Sequence, residues 1–591
     1  MKLQEEWISV NGRGYYSYST LSSINLRTYH GLYVTLESDL SRFVLLSKLW
    51  EEASIGGKIF SLDTNFFGDT VHPKGYQYLS DYSDFPIPTF VFHIGDSVIA
   101  KEICWTPNGN LLSVRYHFEG TLPERISIKP LLAFRKTGET NRGDEFQVKS
   151  GDMIQVSRNG KALYINNVEN FTERGEWFRN FTFPMEKERG YGYAENLYSP
   201  GEFVFSNLND ITLQFADDAS VLGKEHKKIR SSFARFVSPT FRENELPSRV
   251  QGILNFFLAD DNIIAGFPWF GSWARDTFIS IPGLLLVTGK YDRARSILES
   301  YIRDYPDGVI TNFRGSDFVS SDSPLWFIYA VKKYIDYTND IPFLKTNVGY
   351  LTGIINNYIK GFNGIGVDEF LVSVPEGTTW MDANCGQGNI TPRNGKPVEV
   401  NALWFSALES LKEFYYKINT RFPKEIEELT PNVGTNFRKK FIVSNKIKDV
   451  ADPDDLSSRP NMIFAFSLPY PVLNNFRQFK GGIEDLVTPL GLRSLSPSDE
   501  KFASEYAGDQ CSRDAAYHNG SIWPWLAGPY ITASVRSGAR KDHLRDYFRG
   551  LLDQKLIPEL YDGFLPEKGK GCTIQAWSYG EIVRAFIEDL R

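Results

Sequence analysis

The stretch ISIPGLLLVTGKYDRARSILESYI, residues 279–302, marks the change of pattern on which the fold depends. Residues 279–287 are a packed apolar run ended by Gly289, which suits the position just past a helix C-terminus. Asp292 then suits an N-cap, and Ile297, Leu298, Tyr301 and Ile302 fall on one face of the following helix. The pattern recurs downstream. Ser323 and Pro324 suit a helix start, with Leu325, Ile328, Val331 and Ile335 as its buried stripe. Similar helices are expected at about 341–359, 399–417, 521–537, 541–553 and 573–589. Helices in pairs suggest stacked hairpins, and the lack of a fixed sequence period favours a closed barrel over a regular solenoid.

Upstream the period is different. Asn108-Gly109 lies between the alternating segments EICWTP and LLSVRYHFE, a two-residue hairpin signal. Asn159-Gly160 does the same between MIQVSR and KALYINN, and residues 203–215 read as a closing strand. Many short strands at close spacing predict an antiparallel β-sandwich. The chain is therefore expected to be multidomain β + α: an N-terminal β-sandwich over residues 1–235 and a helical barrel over residues 236–591.

The counts exclude several classes. A net charge of −7 lacks the basic footprint of a nucleic-acid binder. Cys104, Cys385, Cys511 and Cys572 are too few and too scattered for a disulfide framework, and no two have metal-ligand spacing. The seven histidines form no HExxH, and no GxxxxGK[ST] or GxGxxG pattern supports nucleotide chemistry. Glu5 and Glu6 stand where a signal peptide needs apolar residues, and the apolar runs are far short of the ~20 residues that span a membrane. A soluble, cytoplasmic protein without membrane partners is the expectation. Aromatic content is high at 15%, and eight of the 12 tryptophans follow residue 260: Trp269, Trp273, Trp326, Trp380, Trp404, Trp523, Trp525 and Trp577. Several adjoin acidic or polar residues at loop–helix junctions, which fits a sugar-stacking pocket, although core filling accounts equally well for about half of them.

Five segments carry candidate chemistry. In PWFGSWARDTF, residues 268–278, Arg275 and Asp276 follow two tryptophans at the opening of an apolar helix. A charged pair there is a surface salt bridge or a sugar-binding pair beside a stacking Trp273. In VPEGTTWMDANCG, residues 374–386, Asp382 follows Trp380 by two residues, with Glu376 nearby. A carboxyl against an aromatic wall has its charged form disfavoured, as a general acid near neutral pH requires; the ordinary alternative is a helix cap. Glu399 opens a helix in KPVEVNALWFSAL, where it either complements the helix dipole or contacts substrate. Glu559, Asp562 and Glu567 lie in IPELYDGFLPEKGKGCTIQAWSYGE, and Glu559 or Glu567 could be a second catalytic carboxylate. His518 sits in YHNGSIWPW, either structural or a donor to a sugar hydroxyl. Two carboxylates flanking a glycosidic bond suffice for its hydrolysis, so no cofactor or metal is required.

Together WARDTFISIPGL, TTWMDAN, KPVEVNALW, YHNGSIWPW and PELYDG…GCTIQAWSYGE resemble the glucosidase part of archaeal and bacterial glycogen debranching enzymes, the amylo-α-1,6-glucosidase family. RTYHGLYV, residues 27–34, resembles that family's N-terminal β-domain, so the resemblance spans nearly the whole chain. It implies an (α/α)6 barrel after the sandwich and an inverting mechanism. By it Asp382 is the general acid and Glu559 the general base. The short loop between the family's base and its QAWS segment selects Glu559 over Glu567. Trp273, Arg275, Asp276, Trp380, Glu399, His518 and Trp577 become substrate-binding candidates. The expected partner is glycogen, branched maltodextrin or another α-glucan. No run of eight βα units is present, so a 4-α-glucanotransferase barrel is not expected. Two alternatives stay open: a glucoamylase- or trehalase-like exo-α-glucosidase, and a non-catalytic glycan-binding protein on a glycosidase scaffold. The second needs no acid–base pair.

Overall fold

Arg158 pairs with Lys161 across a two-residue turn in which Asn159 and Gly160 take φ of +49° and +76°. Both positions need the left-handed region, which is why Asn-Gly closes this hairpin tightly. The computed structural model describes residues 4–143, 145–206, 208–238, 246–386, 388–564 and 568–591. They divide into two units, Met1–Pro239 with Gln251–Asp260, and Thr240–Val250 with Asp261–Arg591.

Among the described residues, the first unit holds a ten-stranded and an eight-stranded antiparallel sheet. Arg42–Ile55 pairs with Arg125–Lys136 in the middle of one, and Ser97–Trp105 pairs with Leu111–Gly120 in the other. The sheets meet face to face through aromatic side chains. The Tyr33 and Trp105 rings lie 4.9 Å apart, and Trp105 Nε1 donates to Ser17 Oγ at 3.0 Å. Two expectations need correction. The Asn108-Gly109 hairpin exists, but Trp105 pairs with Leu112 and the connection is longer than two residues. Residues 203–215 are not one strand: Ala194–Phe205 belongs to the larger sheet and Ile211–Ala216 to the smaller. A helix, His226–Phe236, also falls in this unit.

The second unit is helical. Ser323–Thr338 buries Leu325, Ile328, Val331 and Ile335, the stripe the sequence displays. Asn339 ends it in the left-handed conformation, and Asp340 caps the next helix, Ile341–Lys360, by accepting from Phe343 N at 3.0 Å. The helix after Gly289 runs Tyr291–Asp304, capped at Lys290, so Asp292 complements the dipole of the first turn and is not its N-cap. Several helices escape sequence reading, Gln510–Tyr517 and Lys424–Phe441 among them. Lys424–Phe441 carries Pro431 in its interior, which normally argues against a helix.

The unit's beginning and end are joined. Gly266–Phe267 pairs with Ile574–Gln575, and Ala274–Ile281 lies against Ala576–Glu588. After Ala274–Ile281 a π-helical turn, Pro282–Leu286, presents Gly283 to Gly580: a Cβ on Gly283 would sit 1.7 Å from the Gly580 carbonyl oxygen. Only glycine permits this approach. A disulfide joins Cys385 to Cys511, with Cα atoms 5.0 Å apart, a link that the scattered cysteines did not suggest. Among the described residues no helix is long and apolar enough to cross a membrane.

Candidate active site

Trp273 is the N-cap of Ala274–Ile281, so Arg275 and Asp276 occupy its first turn and are buried rather than exposed. Arg275 Nε donates to Asp322 Oδ2 at 2.8 Å and Nη1 to Asp382 Oδ2 at 3.3 Å. Burial opposes the charge on Arg275, but Asp322 and Asp382 outweigh it and hold the guanidinium ionised. The ordinary alternative, a surface salt bridge, is thereby removed. Asp382 lies in an irregular segment and keeps 21% of its side chain exposed, enough to meet a ligand. Shielding from water pushes its carboxyl up to about 6, against the pull of Arg275.

Asp276 accepts from Gln575 Nε2 at 3.3 Å. Burial pushes it up to about 7; Arg275 and Gln575 oppose the rise, and the charges on Glu559 and Asp382 add to it. The three carboxyl groups therefore share one electrostatic environment.

Glu559 is buried in an irregular segment that follows the helix Lys541–Leu552. Its Oε2 accepts the Cys572 amide at 2.7 Å, and its Oε1 accepts the Tyr517 hydroxyl. Gly571, at φ +67°, makes the room: a Cβ there would come within 2.3 Å of Glu559 Oε2. Glu567, the less favoured alternative, lies outside the described residues. Glu376 is exposed, and Asp562 is held by Tyr506 N at 2.8 Å and Lys570 at 3.4 Å.

An aromatic wall stands beside the acids. Trp380 meets His518, Trp523 and Trp525 edge-on at 5.2–5.4 Å, and Trp577 stacks on Trp525 at 4.7 Å. Trp273 is set apart from this group, against Phe270 and Phe313, each at 5.8 Å. Trp404 is core, wholly buried in Val398–Lys417. His518 stacks parallel to Trp523, and its Nε2 lies 4.0 Å from Asp382 Oδ1. Burial, then the positive charges of Arg459, Arg275 and Arg393, keep its imidazole neutral. Neither His518 nitrogen has a hydrogen-bond partner, nor do the Trp525 and Trp577 indole N–H groups or Gln575 Oε1. Each unpartnered buried polar atom costs about 1–3 kcal/mol. Such a concentration beside carboxyl groups suits a polyhydroxylated ligand.

Glu399 stands in the first turn of Val398–Lys417 and is buried. Both of its oxygens are engaged by Arg393, with Nη2 donating to Oε2 at 2.7 Å, and Arg393 Nε also donates to Asp449 Oδ2 at 2.6 Å. Asn461 extends the network, donating to Asp449 at 2.8 Å and accepting from Trp380 Nε1 at 2.8 Å. Glu399 thus braces, through Arg393, Asp449 and Asn461, the wall that carries Trp380. Removing one member of such a buried ion pair costs roughly 3–5 kcal/mol.

Sequence reading missed Asp322, Arg393, Asp449, Asn461, Tyr517 and Gln575. Tyr517 adjoins His518 in an already notable segment, and Asp322 precedes the Ser-Pro helix start. Arg393, Asp449 and Asn461 carry no local signal, since they meet only through the fold. Among the described residues no cluster of His, Cys, Asp and Glu could hold a metal ion.

Residues 256–584, more than half of the chain, match the family described as amylo-alpha-1,6-glucosidase, and residues 5–210 match glycogen debranching enzyme N terminal. A glycogen debranching enzyme from Saccharomyces cerevisiae (strain ATCC 204508 / S288c) is 24% identical in an alignment 385 residues long that covers 46% of this chain. The match spans only 25% of that relative's length. A crystal structure of bacterial glucoamylase complexed with acarbose shares the fold at TM-score 0.64 and 12% identity, covering 100% of this chain and 92% of that one. The chain belongs to the amylo-α-1,6-glucosidase family.

Proposed function

We propose that this protein is an inverting α-1,6-glucosidase that releases glucose from branch points of glycogen or branched maltodextrins. The observation that carries the reading is the contrast between two carboxyl groups in one aromatic-walled site. Asp382 is shielded enough to keep its proton near pH 6, while Glu559 is fixed by two donors that favour the carboxylate. Asp382 gives its proton to the glycosidic oxygen as the bond to the anomeric carbon breaks. Glu559 takes a proton from water as that water attacks the opposite face, so α-linked substrate yields β-glucose. Arg275 and Asp276 hold hydroxyl groups of the terminal glucose. His518, Trp380 and Trp577 line its pocket, and Trp273 stands at a more distant edge. We further infer that the helices close into an (α/α)6 barrel. The joining of Gly266–Phe267 to Ile574–Gln575 and the glucoamylase likeness support this closure.

The test is incubation with a glycogen limit dextrin while the anomers of released glucose are followed by NMR. β-Glucose appearing first is expected. α-Glucose appearing first overturns the inverting mechanism; release from maltose or trehalose but not from the limit dextrin overturns the substrate. Binding with no sugar release from any of these would leave a glycan-binding protein.

A further inference from the structure

We propose that the Cys385–Cys511 disulfide is a thiol-responsive switch: a dithiol that reduces it releases the segment carrying Asp382 and lowers turnover. The inference rests on the reading of Asp382 as the acid. Cys385 follows Asp382 by three residues, and Cys511 lies in the first turn of the helix Gln510–Tyr517. His518 follows the end of that helix, with its Nε2 4.0 Å from Asp382 Oδ1. The disulfide therefore closes a ring. It runs from the acid through Cys385, Cys511 and the helix back to the imidazole beside the acid.

Other ties on the acid's segment are weak. Among the described residues, the hydrogen bonds of residues 383–390 run within the segment. Ile390 N donates to Ala383 O at 3.1 Å, Gly386 N to Asn384 Oδ1 at 2.8 Å and Asn384 Nδ2 to Asn389 Oδ1 at 3.4 Å. Cys511 Sγ lies 3.6 Å from Cys385 O but has no hydrogen to give while disulfide-bonded. Thr391 reaches Asn519 Oδ1 only at 3.4 Å, and Asp382 itself meets Arg275 Nη1 at 3.3 Å. The helix at the other end is firm, since Asp509 caps it by accepting from Ser512 N at 2.9 Å. Both linked cysteines are half-buried, within reach of a small dithiol, whereas Cys104 and Cys572 are buried. One thiolate of the dithiol attacks a sulfur of the link, breaking the S–S bond and forming a mixed disulfide. Its second sulfur then displaces the cysteine. The reagent leaves as a cyclic disulfide, oxidised by two electrons, and its two protons end on Cys385 and Cys511 as thiols.

The test compares oxidised and dithiothreitol-reduced enzyme at a temperature where both give native circular dichroism. Maleimide labelling of the denatured protein counts two thiols before reduction and four after it. On a branched limit dextrin, reduction is expected to lower kcat about 10–100-fold, part of what a well-placed general acid supplies. KM is nearly unchanged, because Trp380, upstream of the acid, stays held through its Nε1 by Asn461 at 2.8 Å. The alkaline limb of kcat/KM moves to lower pH, since a released Asp382 regains water and loses the burial that raises it. Loss of stability alone does not produce that shift. Oxidised glutathione restores the rate, and Cys511→Ser starts at the reduced rate and does not respond to dithiothreitol. Amide hydrogen exchange of residues 383–390 rises on reduction, a readout that needs no substrate. A rate or an exchange pattern unchanged when four thiols are counted overturns the proposal. So does a response retained in Cys511→Ser, or four thiols counted before reduction. Reduced protein without native circular dichroism at any temperature overturns it too, because the link is then purely structural. Failure of the acid assignment reads differently: Asp382→Asn would then retain turnover while the exchange still responds to reduction.

Discussion

Arg275 places Nη1 3.3 Å from Asp382 Oδ2 while its Nε donates to Asp322 at 2.8 Å. A buried cation thus adjoins the carboxyl group read as the acid and works against the burial that raises it. The acid's proton affinity is a balance of these opposed effects, and each side can be altered by one substitution.

Asp382→Asn removes the transferable proton and keeps the shape. Turnover of a branched limit dextrin is expected to fall by at least the ~10²–10⁴ of a general acid, with circular dichroism and melting profile native. Wild-type turnover in this variant would remove Asp382 as the acid.

Arg275→Met removes the cation that holds Asp382 down. Asp382 then keeps its proton to higher pH, so the alkaline limb of kcat/KM, expected near pH 6 in the wild type, moves upward. Overall activity drops, because the same side chain is read as a sugar contact. Stability also falls, by roughly 3–5 kcal/mol, since Asp322 is left as a buried charge without its partner. A pH–rate profile and a denaturant titration measure both effects. An alkaline limb that stays in place would show that another group titrates there.

Asp276 gives a stability signature. Its folded carboxyl is raised to about 7 from an ordinary 3.8, so the folded state binds this proton more tightly than the unfolded chain. The resulting stabilisation is complete below about pH 4 and is lost as pH rises to about 7. Asp276→Asn escapes that loss. Relative to wild type its melting temperature is expected to rise between pH 4 and pH 8, by the equivalent of about 1 kcal/mol or more. A constant difference across that range would contradict the burial assigned to Asp276.

The Cys385–Cys511 link closes a loop of sequence separation 126. Cys511→Ser is expected to lower stability by roughly 2–5 kcal/mol, as for loss of a native disulfide. Reductant lowers the wild-type melting temperature toward that of the variant and leaves the variant unchanged. Equal responses of both proteins to reductant would argue against the link.

Local chemistry alone carried much of this molecule. The period of 3.6 in Leu325, Ile328, Val331 and Ile335 and the Asn159-Gly160 turn needed no distant partner, because a helix stripe and a tight turn are properties of neighbouring residues. The same holds for the aromatic-flanked acids Asp276 and Asp382. Motif resemblance chose Glu559 over Glu567, where the residues alone left both open. Tertiary structure decided what each acid faces. Glu399 and Asp382 look alike in sequence, each an acid close to a tryptophan. Arg393, brought to Glu399 together with Asp449, makes one part of a buried network, while the other stays partly exposed beside Arg275 and neutral His518. Burial and charge environment arise from segments far apart along the chain, such as Tyr517 with Glu559 and Cys385 with Cys511, and no local pattern encodes them.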